Sequence, residues 1–179
     1  MPECTVQNPG SLNLTSKKII LKSSFVNPKS FLMSRVSIYL NFQGNTEEAF
    51  NFYKSVFGTE FEGAGIMYNR DIPPMPGMPE IPEKEKAMIM HVALPILGGT
   101  VIMGTDMLES MGHKIVIGNN TTINLEPDSK EETDRLYNAL SQGASQMMAP
   151  SDQFWGAYWG VCLDRFGIRW MFNYTYPKD

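Results

Sequence analysis

Histidine and cysteine, the side chains most often used for acid–base, nucleophilic and metal chemistry, are scarce in this chain. It has two of each, and His91 lies in the apolar stretch MIMHVAL while His113 lies in a glycine-containing connector. A histidine that acts as a general base needs an orienting partner, and none lies close to His91 in sequence. We therefore predict that His91 is a hydrogen-bonded structural residue and that His113 is exposed. Two histidines leave little material for a serine triad or a histidine-rich metal site.

The cysteines indicate the redox state of the compartment, and the charge balance limits the kinds of macromolecule that the protein can bind. Cys4 and Cys162 are far apart and form neither a disulfide framework nor a zinc-binding spacing, which predicts a reducing compartment, the cytoplasm. Residues 33–179 carry 11 basic and 18 acidic side chains, a net charge of −7. Nucleic-acid binding needs clustered Lys and Arg, so we expect no nucleic-acid partner. The apolar runs have only strand length, so we expect no membrane span.

Aromatic and methionine side chains are the other candidates for ligand contact. Trp155, Tyr158 and Trp159 form a glycine-spaced cluster that could stack on a planar ligand, although packing in the core or in a dimer interface is the favoured interpretation. Five prolines between residues 69 and 86 exclude a helix or a central strand there. We predict a long loop, in which Met75 and Met78 either close over an apolar ligand or belong to a surface hairpin.

The element that must position these residues is the strand–helix unit at residues 38–58, IYLNFQGNTEEAFNFYKSVFG. Apolar and polar residues alternate over Ile38–Phe42, which predicts a strand. Asn45 is a helix-capping residue, and Glu48 three positions later completes a capping box. The helix that follows presents one apolar face and ends at Gly58. Its apolar face comprises Ala49, Phe50, Tyr53, Val56 and Phe57.

A second strand–helix unit follows at an offset of 84 residues. Thr121–Leu125 predicts its strand, Ser129 and Glu132 form its capping box, and Gly143 stops its helix. Further strands are predicted at Glu60–Tyr68, Ala87–Leu94, Thr100–Gly104, Gln146–Ala149, Trp159–Leu163 and Arg169–Tyr174. Each half therefore reads strand, helix, strand, strand, strand. This is an α+β arrangement whose helices cover one face of a mainly antiparallel mixed sheet, leaving a cupped face for a ligand.

Residues 1–32 differ in composition from the rest, with no arginine before Arg35 and a single short apolar cluster. We interpret them as a disordered or non-native leader rather than a secretory signal, because a signal needs a longer apolar centre. An organelle-targeting segment is the alternative, since the stretch is basic with a single acidic residue, but the missing arginine counts against it. The domain is then predicted to span residues 33–179. Its first module would occupy about 34–106 and its second about 120–176.

Three stretches together resemble the PhnB-like branch of the vicinal oxygen chelate superfamily, which includes glyoxalase I, bleomycin- and fosfomycin-resistance proteins and ring-cleaving dioxygenases. They are YLNFQGNTEEAFNFYKSVFG, MIMHVALPILGGTVIMGTD and WGAYWGVCLDRFGIRWMFN, and the likeness covers about residues 34–175. The turn motif Asp164–Trp170, DRFGIRW, is fairly specific to the branch. The resemblance implies two βαβββ modules that form a cupped sheet with helices outside, and a homodimer.

Enzymes of this superfamily usually hold a divalent metal in the cup, on the first and fourth strands of each module. Carried over to this sequence, the four positions fall on Ile38, Met103, Thr122 and Met171. Three apolar residues and a threonine cannot hold a hard divalent ion. We therefore expect no metal and no cofactor.

With Ile38 in the cup, strand alternation would also place Leu40, Asn124, Arg169 and Asn173 there. Together with Met103 and Met171 they make the predicted ligand-binding set. Arg169 would favour an anionic ligand through paired hydrogen bonds. The alternative is that Arg169 pairs with Glu126 and only stabilises the sheet.

The sequence leaves two functions open. The chain is predicted to be a non-metallo protein that binds a small molecule in the cup and acts as a homodimer. The alternative is an isomerase, lyase or transferase of the same superfamily, with or without a metal. Convergence of two or more His or Glu side chains inside the cup would favour the enzyme.

Overall fold

The structure is a computed structural model and describes residues 35–73, 76–77 and 79–177. The predicted leader at residues 1–32, and Met75 and Met78 of the proline-rich loop, lie outside the described residues. The domain start near residue 33 therefore stays a prediction. The described residues from Val36 onward form one compact unit.

Two modules with the same order of elements follow one another along the chain. The first contains β1 (Ile38–Phe42), α1 (Thr46–Phe57), β2 (Met67–Tyr68), β3 (Ile89–Pro95) and β4 (Val101–Asp106). The second contains β5 (Ile123–Leu125), α2 (Lys130–Leu140), β6 (Gln146–Gln153), β7 (Ala157–Leu163) and β8 (Arg169–Thr175). The helices begin at residues 46 and 130, which confirms the predicted offset of 84 residues.

Each module builds one four-stranded sheet, in the orders β1-β4-β3-β2 and β5-β8-β7-β6. The first and last strands of each module pair in parallel, and the remaining pairs are antiparallel. The predicted α+β class with two βαβββ modules is thereby confirmed. The cross-strand partners of β1 and β4 include Tyr39 and Met103, and those of β5 and β8 include Asn124 and Met171.

The strand predicted over Glu60–Tyr68 is wrong except for its last two residues. Gly63 and Gly65 both have positive φ, 61° and 80°, and extended strand geometry cannot continue through them. Only Met67–Tyr68 joins the sheet. The proline-rich loop that follows contains two single turns of 3₁₀ helix, at Asn69–Asp71 and Glu83–Glu85, but no longer helix in its described part.

The start of α1 is held by a residue from another strand, so the predicted capping box at Asn45 is wrong. The side chain of Asn45 makes no capping hydrogen bond. Instead Asp106, at the end of β4, accepts hydrogen bonds from the backbone N–H groups of Gly44 and Thr46 and from the Thr46 hydroxyl. The carboxylate also accepts from the backbone of Ile89 at 2.8 Å, so it ties α1 to β3. Parallel pairing of β1 with β4 brings Asp106 to this position.

One hydrophobic core lies under both helices and joins the modules. Tyr53 of α1 packs edge-on against Trp170 of β8, with ring centroids 5.5 Å apart, and Phe57 lies 6.0 Å from the same indole. The Tyr53 hydroxyl donates to the buried carboxylate of Asp164 at 2.7 Å. Residues from the helix-covered faces of both sheets belong to this core. The opposite, helix-free faces of the two sheets are therefore the surfaces left for a site.

Candidate functional site

The helix-free face of the first sheet carries Tyr39 and Asn41 of β1, which corrects the predicted orientation of that strand. Leu40 is 9% exposed and belongs to the core, and Ile38 packs against the same core. Phe42, on the same side, meets Phe50 of α1 edge-on at 6.2 Å. The three apolar side chains of β1 lie under α1 because contact with the helix removes their apolar surface from water. Ile38 and Leu40 therefore lie on the helix-covered side and not on the predicted helix-free face, although Leu40 also lines the cavity described below.

The other predicted ligand residues lie on helix-free faces. Met103 is the partner of Tyr39 across β1 and β4, and its neighbour Ile102 is fully buried in the core. In the second sheet, Met171 pairs with Asn124 and Asn173 pairs with Trp159, while the intervening residues of β8 are buried. Strand alternation in β4, β5 and β8 was therefore predicted correctly, although a role in binding does not follow from the orientation alone.

Arg169, the first residue of β8, places a positive charge on the helix-free face of the second sheet. Its Nη2 donates to Gln146 Oε1 at 3.1 Å. Its Nε is buried and has no hydrogen-bond partner, the one such side-chain nitrogen or oxygen in the described part of the chain. The predicted alternative, a pair with Glu126, is not formed, and Glu126 accepts from Asn124 Nδ2 at 3.0 Å instead. Arg169 makes no ion pair with any described residue.

A cavity of about 580 Å³ lies beside Arg169. Its walls are the end of β1, the turn between β7 and β8, and residues 115–118, 120 and 121 of the connector between the modules. Asn41 contributes an amide to the wall, and Ile115 and Ile117 contribute apolar surface. Gln43 fixes the connector, because its side chain donates to Met107 O at 2.8 Å and accepts from the N–H of Ile115 at 3.0 Å.

A second polar cluster lies on the helix-free face of the first sheet. The Tyr39 hydroxyl is 3.2 Å from His91 Nδ1, and the two ring centroids are 5.9 Å apart. Burial raises the pKa of the Tyr39 hydroxyl, so it stays protonated at neutral pH. The sequence predicted that His91 is hydrogen-bonded but did not identify its partner. The partner is Tyr39, 52 residues away. The alternation of IYLNF could have indicated it, because the apolar set of that strand belongs under the helix.

The four positions predicted for a superfamily metal hold no suitable donor set. Ile38 packs against the core, Met103 and Met171 contribute thioethers, and Thr122 is exposed just before β5. Tyr39 and Asn124 are the cross-strand partners of Met103 and Met171 on the helix-free faces, and they add only a phenol and an amide. Hard divalent ions prefer carboxylates, and softer ones prefer imidazole or thiolate. Across residues 35–177, as far as they are described, no three His, Cys, Asp or Glu side chains group as metal ligands.

The predicted aromatic cluster divides between the two faces of the second sheet. Trp155 and Trp159 lie edge-on at 6.3 Å, and Trp155 is 52% exposed. Tyr158 points to the helix side, where its hydroxyl donates to Asp134 of α2 at 2.8 Å. A stacking platform of all three rings is therefore not formed. His113 is exposed, as predicted.

None of the described helices combines the length and the apolar character that a membrane crossing requires.

Comparison with known proteins gives a consistent family assignment. The family model described as 3-demethylubiquinone-9 3-methyltransferase matches residues 34–172. Protein PA1353 from Pseudomonas aeruginosa is 33% identical, with a TM-score of 0.63 over 80% of this chain and 98% of that chain.

Two more distant structures share the fold. The PhnB protein from Bacillus cereus is 20% identical, with a TM-score of 0.60 over 79% of this chain and 100% of that chain. A glyoxylase/bleomycin resistance protein/dioxygenase domain from Frankia is 12% identical, with a TM-score of 0.52 over 80% and 97%. The chain therefore belongs to the family described as 3-demethylubiquinone-9 3-methyltransferase, and it shares its fold with the PhnB protein and with the glyoxylase/bleomycin resistance protein/dioxygenase domain.

Proposed function

We propose that the protein binds a small organic anion, without a metal, in the cavity beside Arg169. The observation that carries this proposal is the buried Nε of Arg169, which has no partner among the described residues. A buried donor without an acceptor costs about 1–3 kcal/mol. A carboxylate or phosphate oxygen would remove that cost and would accept a charge-assisted hydrogen bond.

The surroundings of Arg169 support an anion rather than a neutral ligand. Gln146, which accepts from Nη2, is neutral, and no carboxylate of the described residues lies within ion-pair distance of the guanidinium. The guanidinium fork can bind two oxygens of one carboxylate at once. The amide of Asn41 lines the same cavity, and it offers a neutral donor to a second ligand oxygen.

The cavity also suits the size and the character of a small metabolite. Its volume of about 580 Å³ falls within the ~300–1,000 Å³ that is usual for ligand pockets. Ile115 and Ile117 from the connector, with Ile168 from the turn before β8, offer apolar contacts. A ligand with one anionic end and a short apolar body fits this combination. The amides of Asn124 and Asn173 on the same sheet face would contact only a larger ligand.

We also propose a homodimer and a cytoplasmic location. Large apolar side chains lie exposed on the second module, including Phe154 at 98% and Trp155 at 52%, and such groups are unusual on a monomer surface when they cluster. Met147 and Met148 of β6 are exposed as well. Sedimentation at micromolar concentration tests the dimer, and a monomer there would refute it.

The binding proposal is tested by thermal unfolding of the full chain with inorganic phosphate, pyruvate, citrate and phenylphosphonate. A ligand at a hundred times its dissociation constant stabilises the folded state by about 2.7 kcal/mol. We expect at least one anion to stabilise the wild type and to bind Arg169→Gln at least tenfold more weakly. Arg169→Lys should bind with intermediate affinity, because it keeps the charge but loses the fork.

Arg70→Gln is the matched control, since Arg70 is exposed and does not line the cavity. Equal anion binding by Arg169→Gln and by the wild type would refute the site. A parallel screen with Mn²⁺, Ni²⁺ and Zn²⁺ tests the absence of a metal. Stabilisation by one of these ions that chelator reverses would favour the metalloenzyme alternative.

A further inference from the structure

We propose that Tyr39 and His91 form an acid–base pair that catalyses keto–enol tautomerisation of a small carbonyl compound on the helix-free face of the first sheet. This activity goes beyond binding and uses residues that do not line the cavity of Arg169. The candidate substrate is a carbonyl compound with a hydrogen on the adjacent carbon. Such a reaction moves only protons and needs no oxidant, group donor or cofactor.

The contact between the two side chains spans three strands. Tyr39 lies on β1 and His91 on β3, and β4 runs between these two strands. Strand centres two positions apart are separated by about 9.6 Å, so the phenol must lie along the sheet to place its hydroxyl 3.2 Å from His91 Nδ1. Thr105, between them on β4, donates its hydroxyl to the backbone oxygen of Met90 at 2.9 Å. The Thr105 hydroxyl beneath the pair therefore already has a backbone acceptor.

The pair leaves two reactive groups available to a ligand. Tyr39 is 48% exposed, and His91 Nε2 has no hydrogen bond to any described residue. When Nδ1–H donates to the Tyr39 oxygen, the Nε2 lone pair can act as a base. The Tyr39 O–H, which has the Thr105 hydroxyl as a further hydrogen-bond neighbour, can then turn to donate to a ligand oxygen. A neutral imidazole whose Nε2 carries the lone pair is the form that can act as a general base.

The proton balance of the step closes within the pair. Nε2 removes a proton from the carbon next to the carbonyl, and the electrons of that C–H bond form the carbon–carbon double bond. The carbonyl oxygen takes the Tyr39 proton as its π bond breaks, and Tyr39 recovers a proton from Nδ1–H. The products are the neutral enol and the other neutral tautomer of His91. The reverse sequence returns a proton to carbon, and exchange of Nε2–H with solvent labels it.

The surrounding side chains suit a small ligand at this position. Met103 is the register partner of Tyr39, and Met67 is the partner of His91. Both are partly buried, and their flexible thioethers can adapt to different ligand shapes. Asn41 lies two residues from Tyr39 on the same face of β1, about 7 Å along the strand. Since Asn41 also lines the cavity of Arg169, the two sites are neighbours.

The experiment is hydrogen–deuterium exchange at the carbon next to the carbonyl of pyruvate and of hydroxyacetone, followed by proton NMR with the full chain in D₂O. We expect the wild type to exchange at least one probe tenfold faster than Tyr39→Phe and His91→Gln. His113→Gln is the matched control and should exchange at the wild-type rate, because His113 is exposed in the connector. A wild-type rate equal to that of His91→Gln for both probes overturns the proposal.

A second readout does not depend on turnover. Nitrogen-15 NMR of the histidine rings reports which nitrogen carries the proton, and we expect Nδ1–H for His91 in the wild type and a changed ring signal in Tyr39→Phe. A proton on Nε2 of neutral His91 in the wild type would overturn the proposal, because the base would then lack its lone pair. Tyr39→Phe keeps the ring, so its fold should survive, and circular dichroism verifies this. Anion binding at Arg169 without exchange would leave the proposed binding function intact and overturn only the tautomerisation.

Discussion

Replacing Asp164 with asparagine would isolate the contribution of the carboxylate that joins the two modules. Asp164 is 2% exposed and accepts four hydrogen bonds. Its Oδ2 accepts from the Tyr53 hydroxyl at 2.7 Å and from the Trp170 indole N–H at 2.8 Å. Its Oδ1 accepts from the backbone N–H groups of Phe166 and Ile168, both at 2.9 Å. A single side chain thereby holds α1, the β7–β8 turn and β8 together.

The expected cost follows from counting the donors that lose an acceptor. An asparagine amide nitrogen cannot accept from an N–H group, so the less costly orientation places it beside Tyr53 and Trp170. The tyrosine hydroxyl can reverse its direction, but the Trp170 N–H cannot. One buried donor without an acceptor costs about 1–3 kcal/mol, and the remaining bonds lose their charged acceptor. We expect Asp164→Asn to lower the free energy of unfolding by about 3 kcal/mol, which corresponds to a fall in Tm of about 6–12 °C.

Urea unfolding at pH 7, followed by far-UV circular dichroism, measures this cost. Asp128→Asn is the matched control, because Asp128 is exposed and an exposed substitution should change stability by no more than about 0.5 kcal/mol. Tyr53→Phe removes one of the four donors and should cost about 1 kcal/mol. If Asp164→Asn proves as stable as Asp128→Asn, the carboxylate does not hold the modules together and the reasoning is refuted.

Two further predictions concern packing and high pH. Gly104→Ala should destabilise the fold by about 1–3 kcal/mol in urea, because the added Cβ would lie 2.7 Å from Phe50 Cζ. Gly118→Ala in the connector is the control, and an equal cost there would contradict the packing argument. Burial raises the pKa of the Cys162 thiol to about 12 from 9.0, so from about pH 9 to 12 the unfolded thiol loses its proton while the folded thiol keeps it. The free energy of unfolding should therefore fall over this interval, less steeply in Cys162→Ala than in Cys4→Ser, and equal slopes would contradict the burial argument.

The candidate site was only partly predictable from strand alternation. Alternation in β4 and β8 correctly placed Met103, Met171, Asn173 and Arg169 on the helix-free faces. In β1 the alignment by resemblance placed Ile38 on the wrong side. Period two separates the residues of a strand into two sets, but it does not say which set a helix will cover. Contact with α1 decides this for β1.

Interactions between distant segments explain the remaining differences. The cap of α1 comes from Asp106, 60 residues from Thr46, where the sequence indicated Asn45. Local capping rules cannot anticipate a carboxylate that parallel pairing brings to the helix start. For α2 the local rule held in part, since Ser129 accepts from the N–H of Glu132 at 3.1 Å. The Glu132 side chain, however, pairs with Arg135 rather than completing the box.

The sequence by itself determined the α+β class, the two repeated modules and the family resemblance. These properties rest on local periodicity, helix caps and turn residues, which act between positions close along the chain. Only the tertiary structure decided that His91 meets Tyr39, that Arg169 bonds Gln146 rather than Glu126, and that Arg169 Nε is buried without a partner among the described residues. The physical reason is that a polar group's partner depends on which strands become neighbours. Strand pairing joins Ile38 to Ile102, 64 residues later, in the first sheet, and Ile123 to Trp170, 47 residues later, in the second.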